Sequence, residues 1–264
     1  MYSHFSIPNW VMLIIICGSC APITASVFDQ THEEWNKVLQ EYVKDGRVNY
    51  QGLKTKPIGF NRYIAQLASV KKADFDDWTK EEKLAYWINA YNAYTVKAIL
   101  DNYPVKSIKD IPGVWKKLPV TAGGEELTLD KIEHKKLREE LKEPRIHFAI
   151  NCASIGCPVL LGEAYRSDKL EAQFSTNIKA MLGNSGQFRL DRGDKQIYLS
   201  KILDWFGDDF KGFKGVNFYG SKKNGVVSFL SNYLPESDKK LVRSEKFAIK
   251  WLDYDWNLNN TEID

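Results

Sequence analysis

One segment of the sequence limits the possible folds more than any other, because it encodes a long helix that begins at Thr79-Lys-Glu-Glu82. This tetrapeptide has the form of a capping box, in which the Thr79 and Glu82 side chains each accept a free backbone N–H group. Asn102 and Pro104 mark its end. Mostly apolar residues recur at helical spacing between these limits and predict one broad buried face: Leu84, Trp87, Ile88, Tyr91, Tyr94, Thr95, Ala98 and Ile99.

Two asparagines interrupt this helix. Asn89 and Asn92 lie three residues apart, so their side chains are neighbours on the helix surface. Asparagine is unfavourable inside helices, because its side chain competes for backbone hydrogen bonds. We interpret the pair first as hydrogen-bonding partners of a nearby loop backbone, since buried polar groups are normally satisfied in this way. The alternative is a contact with a substrate or an oxyanion.

The remaining segments predict a single helix-rich α+β domain over residues 27–264. Ile146–Ile150 is short, apolar and typical of a buried strand. Phe188–Leu190 and Ile197–Leu199 flank a turn and indicate a hairpin. We expect the helices to surround a small, mostly antiparallel sheet, and we expect Trp87 to pack against the part of it that holds 146–150. Further elements are indicated as helices near 35–43, 60–67, 130–141, 170–181, 201–210 and 226–234, and as a strand near 247–251.

The first 25 residues predict a targeting segment. Trp10–Cys17 is an apolar run of the length found in signal peptides and is too short to span a bilayer comfortably. Cleavage after Ala21 or Ala25 fits the small residues that follow, and Gly18-Ser19-Cys20 resembles a lipoprotein site with lipidation at Cys20. Both routes predict export to a compartment that permits disulfides. The only membrane attachment we expect is through a lipidated Cys20.

The charge distribution argues against one class of partner. The chain has 37 basic and 34 acidic residues, a formal net charge of +3, and no block of like charge. This pattern does not favour a nucleic-acid surface or a polybasic membrane surface. The sequence indicates no particular substrate, protein partner or oligomeric state, and we expect no cofactor.

A thiol at Cys152 is the leading candidate for chemistry. It would lie just past the buried strand, where catalytic side chains are often placed. Alternation along a strand would turn His147 away from Cys152 and leave His134, on another helix, as the better base. Loop N–H groups after Cys152, at Ala153, Ser154 and Gly156, are candidates for an oxyanion site. The candidates for orienting the base are Asn89, Asn92 and Asp255.

This arrangement predicts a thiol-dependent hydrolase or acyl transferase. A histidine that precedes the cysteine matches the chain order of circularly permuted papain-like enzymes, and a permuted papain-like fold is therefore one form the domain could take. Order alone is a weak guide, because such triads recur in many chain orders.

Two other interpretations of the same residues stay open. A Cys152–Cys157 disulfide would stiffen the loop and leave a binding or assembly module without catalysis. A zinc site would draw on His134, His147, Cys152 and Cys157, but their spacing is unusual for zinc. We rank the zinc site last.

Several sequence blocks together resemble the domain of unknown function 547 family over roughly residues 35–259. These blocks are Tyr86–Thr95, Leu127–His134, Pro144–Cys152 with Cys157-Pro158, Leu199–Ile202 with Asp204-Trp205, and Tyr254–Asn259. The resemblance implies that Cys152, His147 and His134 occupy motif positions of the family. Plant members often carry serine at the position of Cys157, which argues against a family-wide disulfide. Because this chain has both cysteines, a local disulfide stays open. The resemblance implies no settled activity.

Overall fold

The core of the molecule is formed around the long helix Lys80–Asn102. This computed structural model describes residues 28–261. The predicted capping box is present: the Thr79 hydroxyl accepts the Glu82 N–H at 3.2 Å, and the Glu82 carboxylate accepts the Thr79 N–H at 2.8 Å. Every residue from 84 to 96 is buried. This part of the helix is therefore buried on all sides, whereas its spacing predicted only one buried face.

Ten α-helices provide most of the regular secondary structure of residues 28–261. They are α1 Glu33–Tyr42, α2 Tyr50–Thr55, α3 Ile58–Ser69, α4 Lys72–Asp76, α5 Lys80–Asn102, α6 Leu129–Lys131, α7 Leu170–Gly183, α8 Ile202–Trp205, α9 Ser221–Leu230 and α10 Glu236–Ser244. Shorter 3₁₀ segments lie at Ile108–Asp110, Pro144–Phe148, Gly207–Phe210 and Ser231–Tyr233. Within residues 28–261, no helix combines the length and apolar character needed to cross a membrane.

Three small sheets lie among these helices. The strands are β1 Val43–Lys44, β2 Arg47–Val48, β3 Val120–Ala122, β4 Glu125–Leu127, β5 Phe188–Asp191, β6 Gln196–Leu199 and β7 Ala248–Trp251. β5 pairs antiparallel with β6 as the predicted hairpin, and β7 adds to β6 in parallel. The other two sheets are antiparallel pairs. The helix-rich α+β single-domain fold is thus confirmed. The leader at 1–25 and Cys20 lie outside the described residues.

The segment predicted as a strand at Ile146–Ile150 is helical instead. Pro144 begins a 3₁₀ turn that extends to Phe148, and the Glu143 side chain accepts the Arg145 N–H at 3.0 Å. Proline suits the first position of a helical turn, because its missing N–H has no partner there in any case. A short buried apolar run does not distinguish strand from helix by periodicity. The expected packing of α5 on a sheet holding this segment is therefore wrong, although Trp87 and Phe148 are buried.

The helix predicted at 130–141 is also wound differently. It begins with one α-turn, α6, capped by the Thr128 hydroxyl, and continues as a π-helix over Ile132–Glu140. π-Helical segments are rare and occur frequently at functional sites. The segment carries Glu133, His134 and Arg138, which all belong to the site described below.

Candidate functional site

A cleft of about 370 Å³ opens on the surface between the π-helix and the 3₁₀ turn at 144–148. The loop at 152–157, called the cysteine loop below, and the C-terminal segment at 254–259 also border it. Its wall is mostly aromatic and apolar, with a small number of polar groups. This composition and volume are typical of sites for small molecules. The residues around it are Tyr91, Trp115, Lys116, Asp130, Glu133, His134, His147, Ile150, Cys152, Cys157, Ile202, Trp205, Phe206, Tyr254 and Trp256.

The two cysteines of the loop lie side by side in this cleft. Their sulfur atoms are at disulfide distance, and their Cα atoms are 6.3 Å apart, within the range that a disulfide allows. Cys157 is only 5% exposed, whereas Cys152 is partly exposed. The backbone N–H of Cys152 donates to the sulfur of Cys157 at 2.9 Å. Both residues line the cleft, and Cys152 is the more exposed of the two.

Tyr254 contacts both sulfurs. Its hydroxyl lies 2.9 Å from the sulfur of Cys152 and 3.0 Å from that of Cys157. Burial raises the pKa of Tyr254 well above its ordinary value, so the hydroxyl keeps its proton near neutral pH. It can therefore donate a hydrogen bond to either sulfur.

The C-terminal segment positions Tyr254 by pairing with the cysteine loop. The Gly156 N–H donates to the Asp255 carbonyl at 2.8 Å, and the Ile155 N–H donates to the Asn257 carbonyl at 2.9 Å. Glycine is required at 156, because a Cβ there would lie 2.8 Å from the Asp255 nitrogen. Ala153 has a positive φ of 59°, a conformation held by the bond from its N–H to the Asn151 side chain.

The two histidines of the cleft lining belong to a chain of charged and imidazole groups that also includes Arg138 and Asp209. Asp209 accepts two hydrogen bonds from Arg138, at 2.6 and 2.8 Å, and one from His147 Nε2 at 2.7 Å. Burial alone would raise the pKa of Asp209, but these donors overcome it and hold the pKa below its ordinary value. Arg138 also donates to His134 Nδ1 at 2.6 Å. Burial lowers the pKa of His147 despite Asp209, so its imidazole is mainly neutral at pH 7.

Glu133 supplies the buried acid of the cleft. It is 9% exposed, and its carboxyl group accepts a hydrogen bond from the Tyr91 hydroxyl at 3.3 Å. Burial raises the pKa of Glu133 to about 7, against the lowering effect of Tyr91 and Arg138. A carboxyl group with such a pKa exchanges a proton near neutral pH, and groups of this kind cluster at functional sites.

Four aromatic side chains form a continuous patch at the mouth of the cleft. Trp205 is 44% exposed, and its ring centre lies 5.1 Å from Tyr254 and 6.0 Å from Trp256. Tyr254 and Trp256 are 4.5 Å apart, and Trp115 meets Trp256 edge-on at 6.1 Å. Phe206, deeper in the cleft, stacks on His147 at 4.2 Å. These rings offer flat apolar faces to a ligand.

The family model described as Protein of unknown function, DUF547, matches residues 75–182 of this chain. Over this segment the chain is similar to the DUF547 family. Three of the five blocks quoted above fall inside the match, and those at 199–205 and 254–259 lie beyond it. Neither the comparison with curated proteins nor the comparison with solved structures gave a match.

The cleft combines residues of the DUF547 match with residues from the chain beyond it. The match contains Glu133, His134, His147 and both cysteines, whereas Asp209, Trp205 and Tyr254 follow residue 182. The C-terminal third of the chain therefore provides the partner of His147 and the hydroxyl that contacts both sulfurs.

The two histidines proposed from the sequence both line the cleft. Because the segment before Cys152 is a helical turn, the strand on which the opposite placement of His147 and Cys152 depended is not present, and both residues line the cleft. His147 hydrogen-bonds to the Asp209 carboxylate at 2.7 Å, whereas His134 lies at a longer 3.7 Å from the Asp130 carboxylate. Among residues 28–261, the polar side chains within hydrogen-bonding distance of the Cys152 sulfur are Ser154 and Tyr254, and neither imidazole is one of them.

The three residues proposed to orient the base lie elsewhere in the DUF547 match or beyond it. Asn89 bonds to the backbone of Tyr165, and Asn92 bonds to the backbone around Ile150, as the first interpretation of the pair held. Asp255 is exposed, and its side chain accepts the N–H of Asn257. None of the three lines the cleft.

The oxyanion site proposed in the loop is largely occupied. The N–H of Ala153 donates to Asn151, and that of Gly156 donates to Asp255. The described part of the chain, residues 28–261, also holds no group of three or more His, Cys, Asp or Glu side chains arranged to bind a metal ion.

Sequence reasoning missed Asp209, Tyr254 and the role of Glu133. Tyr254 stands in a block that resembles the family, so its position carried a signal, but a tyrosine alone does not indicate a sulfur contact. Asp209 has no local signal, because its partners Arg138 and His147 lie 71 and 62 residues away in the sequence. Glu133 lies in a segment that the sequence predicts only as a helix, and the fold shows that it is buried.

Proposed function

We propose that this protein is an extracytoplasmic ligand-binding module whose binding site is the aromatic cleft with a Cys152–Cys157 disulfide in its floor. One observation carries the proposal: the two sulfurs lie at disulfide distance inside the cleft, and the hydrogen bonds of the loop hold them there. A disulfide in a short loop stiffens it and limits the motion of the Tyr254 contacts. A sulfur within a disulfide is not a free thiolate, so this form has no Cys152 nucleophile.

The lining indicates the class of ligand. The volume of about 370 Å³ suits a small molecule or one or two side chains of a peptide. Exposed Trp205 and its neighbours Tyr254 and Trp256 supply flat faces, while Lys116 and Asp130 provide polar contacts at the wall. The ligand we propose is therefore a small, mostly apolar, ring-bearing group with a polar end.

A thiol-dependent hydrolase or acyl transferase is the second candidate. It is favoured by the His147–Asp209 pair and by Glu133, since a base with an orienting carboxylate and an acid with a pKa of about 7 share the cleft with Cys152. This activity requires the dithiol form, because Cys152 must be free. It also requires a movement that brings an imidazole to the Cys152 sulfur.

A thiol count separates the two candidates. The mature protein, purified from its native compartment without reductant, is alkylated with iodoacetamide over a range of pH and mapped by mass spectrometry. Our proposal requires that Cys152 and Cys157 stay unlabelled until a reductant is added. Rapid labelling of Cys152 near neutral pH before reduction, slowed by His147→Ala or His134→Ala, would establish the enzyme instead. Cys157→Ser provides the control in which Cys152 cannot form the disulfide.

A binding screen tests the cleft itself. Ring-bearing fragments are tested against the oxidised protein by ligand-observed NMR. Binding should be lost in Trp205→Ala and kept in Ile58→Ala, which removes a 74% exposed apolar side chain outside the cleft. Hits that bind both variants equally would contradict the assignment of the ligand site to this cleft.

Export supports the choice of the disulfide form. The apolar run at 10–17, with the small residues after it, favours a cleaved leader or lipidation at Cys20, and both place the mature chain in an oxidising compartment. Because Cys20 is removed with the leader or carries the lipid, the mature chain would keep two cysteines able to pair, 152 and 157, which is the number that one intramolecular disulfide needs.

A further inference from the structure

The two sulfurs of the cleft differ in access. Cys152 is partly exposed and faces the open cleft, whereas Cys157 is 5% exposed and is held by its backbone. The Gln187 side chain donates to the carbonyl of Cys157 at 2.6 Å, which fixes this residue from behind. A thiol that enters the cleft therefore has better access to Cys152 than to Cys157.

The buried Cys157 sulfur is also the one with a backbone N–H donor, whereas the contacts to the Cys152 sulfur are the Ser154 and Tyr254 hydroxyls. The N–H of Cys152 donates to the sulfur of Cys157 at 2.9 Å, and the Tyr254 hydroxyl is 3.0 Å from the same atom. Hydrogen bonds to a charged sulfur stabilise the thiolate and lower its pKa. A lower pKa makes a sulfur a better leaving group in thiol–disulfide exchange. Attack on Cys152 would thus release a thiolate that already has two donors.

We propose that the Cys152–Cys157 pair is a redox-active disulfide that oxidises thiols admitted to the cleft. This inference rests on the proposed function, because it needs the disulfide form. A thiolate of the partner attacks the sulfur of Cys152, the bond between Cys152 and Cys157 breaks, and its electron pair leaves on Cys157 as a thiolate. A second thiolate of the same dithiol then attacks the partner sulfur and releases Cys152.

The exchange balances with one dithiol for one disulfide. The partner loses two electrons and two protons and becomes a disulfide, while Cys152 and Cys157 gain the two electrons and become thiolates or thiols. The partner is a small dithiol or a peptide with two cysteines, of a size that the cleft accepts at its aromatic mouth. The step is stoichiometric and involves no further oxidant.

A trapping experiment with glutathione identifies the attacked sulfur. Oxidised full-length mature protein is mixed with reduced glutathione at pH 7 and quenched within seconds with N-ethylmaleimide, and the products are mapped by mass spectrometry. We expect glutathione on Cys152 and N-ethylmaleimide on Cys157 in the trapped species. The reverse pattern overturns the proposal, because it would make Cys157 the accessible sulfur.

Two other outcomes distinguish a failure of the proposed disulfide from a failure of its proposed redox activity. If both cysteines react with N-ethylmaleimide before glutathione is added, the disulfide of the proposed function is absent. If the disulfide is present but glutathione neither adds to it nor opens it over hours, the pair is structural and the redox inference is wrong. Variants at the cysteines are not needed for these readouts, so the result does not depend on how well such variants fold.

A second measurement tests the donor from Tyr254. Tyr254→Phe keeps the ring but removes the hydroxyl, and Tyr198→Phe removes a hydroxyl that bonds to Gln196 outside the cleft. In a glutathione redox buffer, the loss of the Tyr254 donor should shift the equilibrium towards the disulfide by about tenfold, which is about 30 mV for a two-electron couple. The Tyr198 variant should match the wild type. An unchanged equilibrium in Tyr254→Phe would show that the hydroxyl does not stabilise the thiolate. A shift towards the dithiol would contradict the proposed role of the hydroxyl.

Discussion

The side-chain oxygen of Asn92 accepts the backbone N–H of Asn151 at 2.8 Å, one residue before Cys152. The side-chain nitrogen of Asn92 donates to the Ala149 carbonyl at 3.1 Å. Asn89, one turn earlier, makes the same pair of bonds to the N–H and carbonyl of Tyr165, at 2.9 and 2.7 Å. The two asparagines of α5 therefore fasten the chain on both sides of the cysteine loop to the core helix.

We predict that Asn92→Ala destabilises the fold and loosens the cysteine loop. Both backbone groups would be left unsatisfied in the core, where each such loss costs about 1–3 kcal/mol. We expect a decrease of about 3 kcal/mol in the free energy of unfolding, measured by urea denaturation. Asn61→Ala, at an exposed position of α3, is the matched control and should stay within about 0.5 kcal/mol of the wild type. Equal stability of the two variants would contradict this account.

Trp87 offers a separate test of the core. It is 1% exposed and packs against Phe75 and Tyr86, with the ammonium group of Lys136 5.7 Å from the centre of its ring. We predict that Trp87→Ala lowers the free energy of unfolding by about 3–5 kcal/mol, since it removes a large buried side chain. Ile58→Ala, at a 74% exposed site, should change it by less than about 0.5 kcal/mol. A Trp87→Ala variant that melts at the wild-type temperature would refute this assignment.

The sequence was informative where local chemistry decides the structure. The capping box at Thr79, the hairpin of β5 and β6 and the bonding of Asn89 and Asn92 to backbone are all present. In each case, the side chain interacts with residues that are close in the chain, or it has few possible hydrogen-bond partners besides backbone once it is buried. The choice of loop for Asn92 was not predictable, because its partners lie 57 and 59 residues away.

The candidate site was predicted only in part for a related reason. Cys152, Cys157, His134 and His147 were all candidates from the sequence, and the structure places all four in the lining of the cleft. The strand predicted at 146–150 is a helical turn, so the alternation used to place His147 opposite Cys152 does not apply, because strands and helical turns place side chains with different periods. The aromatic patch depends on the return of the C-terminal segment to the cysteine loop, and no local pattern encodes this pairing.

Export can be tested independently of the cleft. Protein from the native host should lack Met1 and the apolar run at 10–17, because the small residues after it fit a cleavage site. Intact-mass analysis should show a chain that begins after Ala21 or Ala25, or at a diacylated Cys20. A diacylglycerol adduct decides for the lipid-anchored form. A mature mass that still includes Met1 would contradict the prediction.

Glu133 makes the stability of the protein depend on pH in a defined direction. Burial raises its pKa to about 7 from an ordinary value of 4.5. The folded state therefore keeps the proton over a range of pH in which the unfolded state has lost it. The stabilisation of the folded state by this group is fully present below about pH 4.5 and is lost as the pH rises through about 7. A shift of this size corresponds to a change on the order of 3 kcal/mol.

We therefore predict that Glu133→Gln removes this dependence. The free energy of unfolding, measured by urea denaturation at intervals from pH 4 to pH 8, should fall with rising pH more steeply in the wild type than in the variant, and the difference should develop between about pH 4.5 and 7. Glu139→Gln, on the exposed side of the same helix, should follow the wild-type curve. Parallel curves for the wild type and Glu133→Gln would show that Glu133 titrates normally in the folded protein. The cleft would then lack its neutral acid at pH 7, which would also weaken the hydrolase candidate.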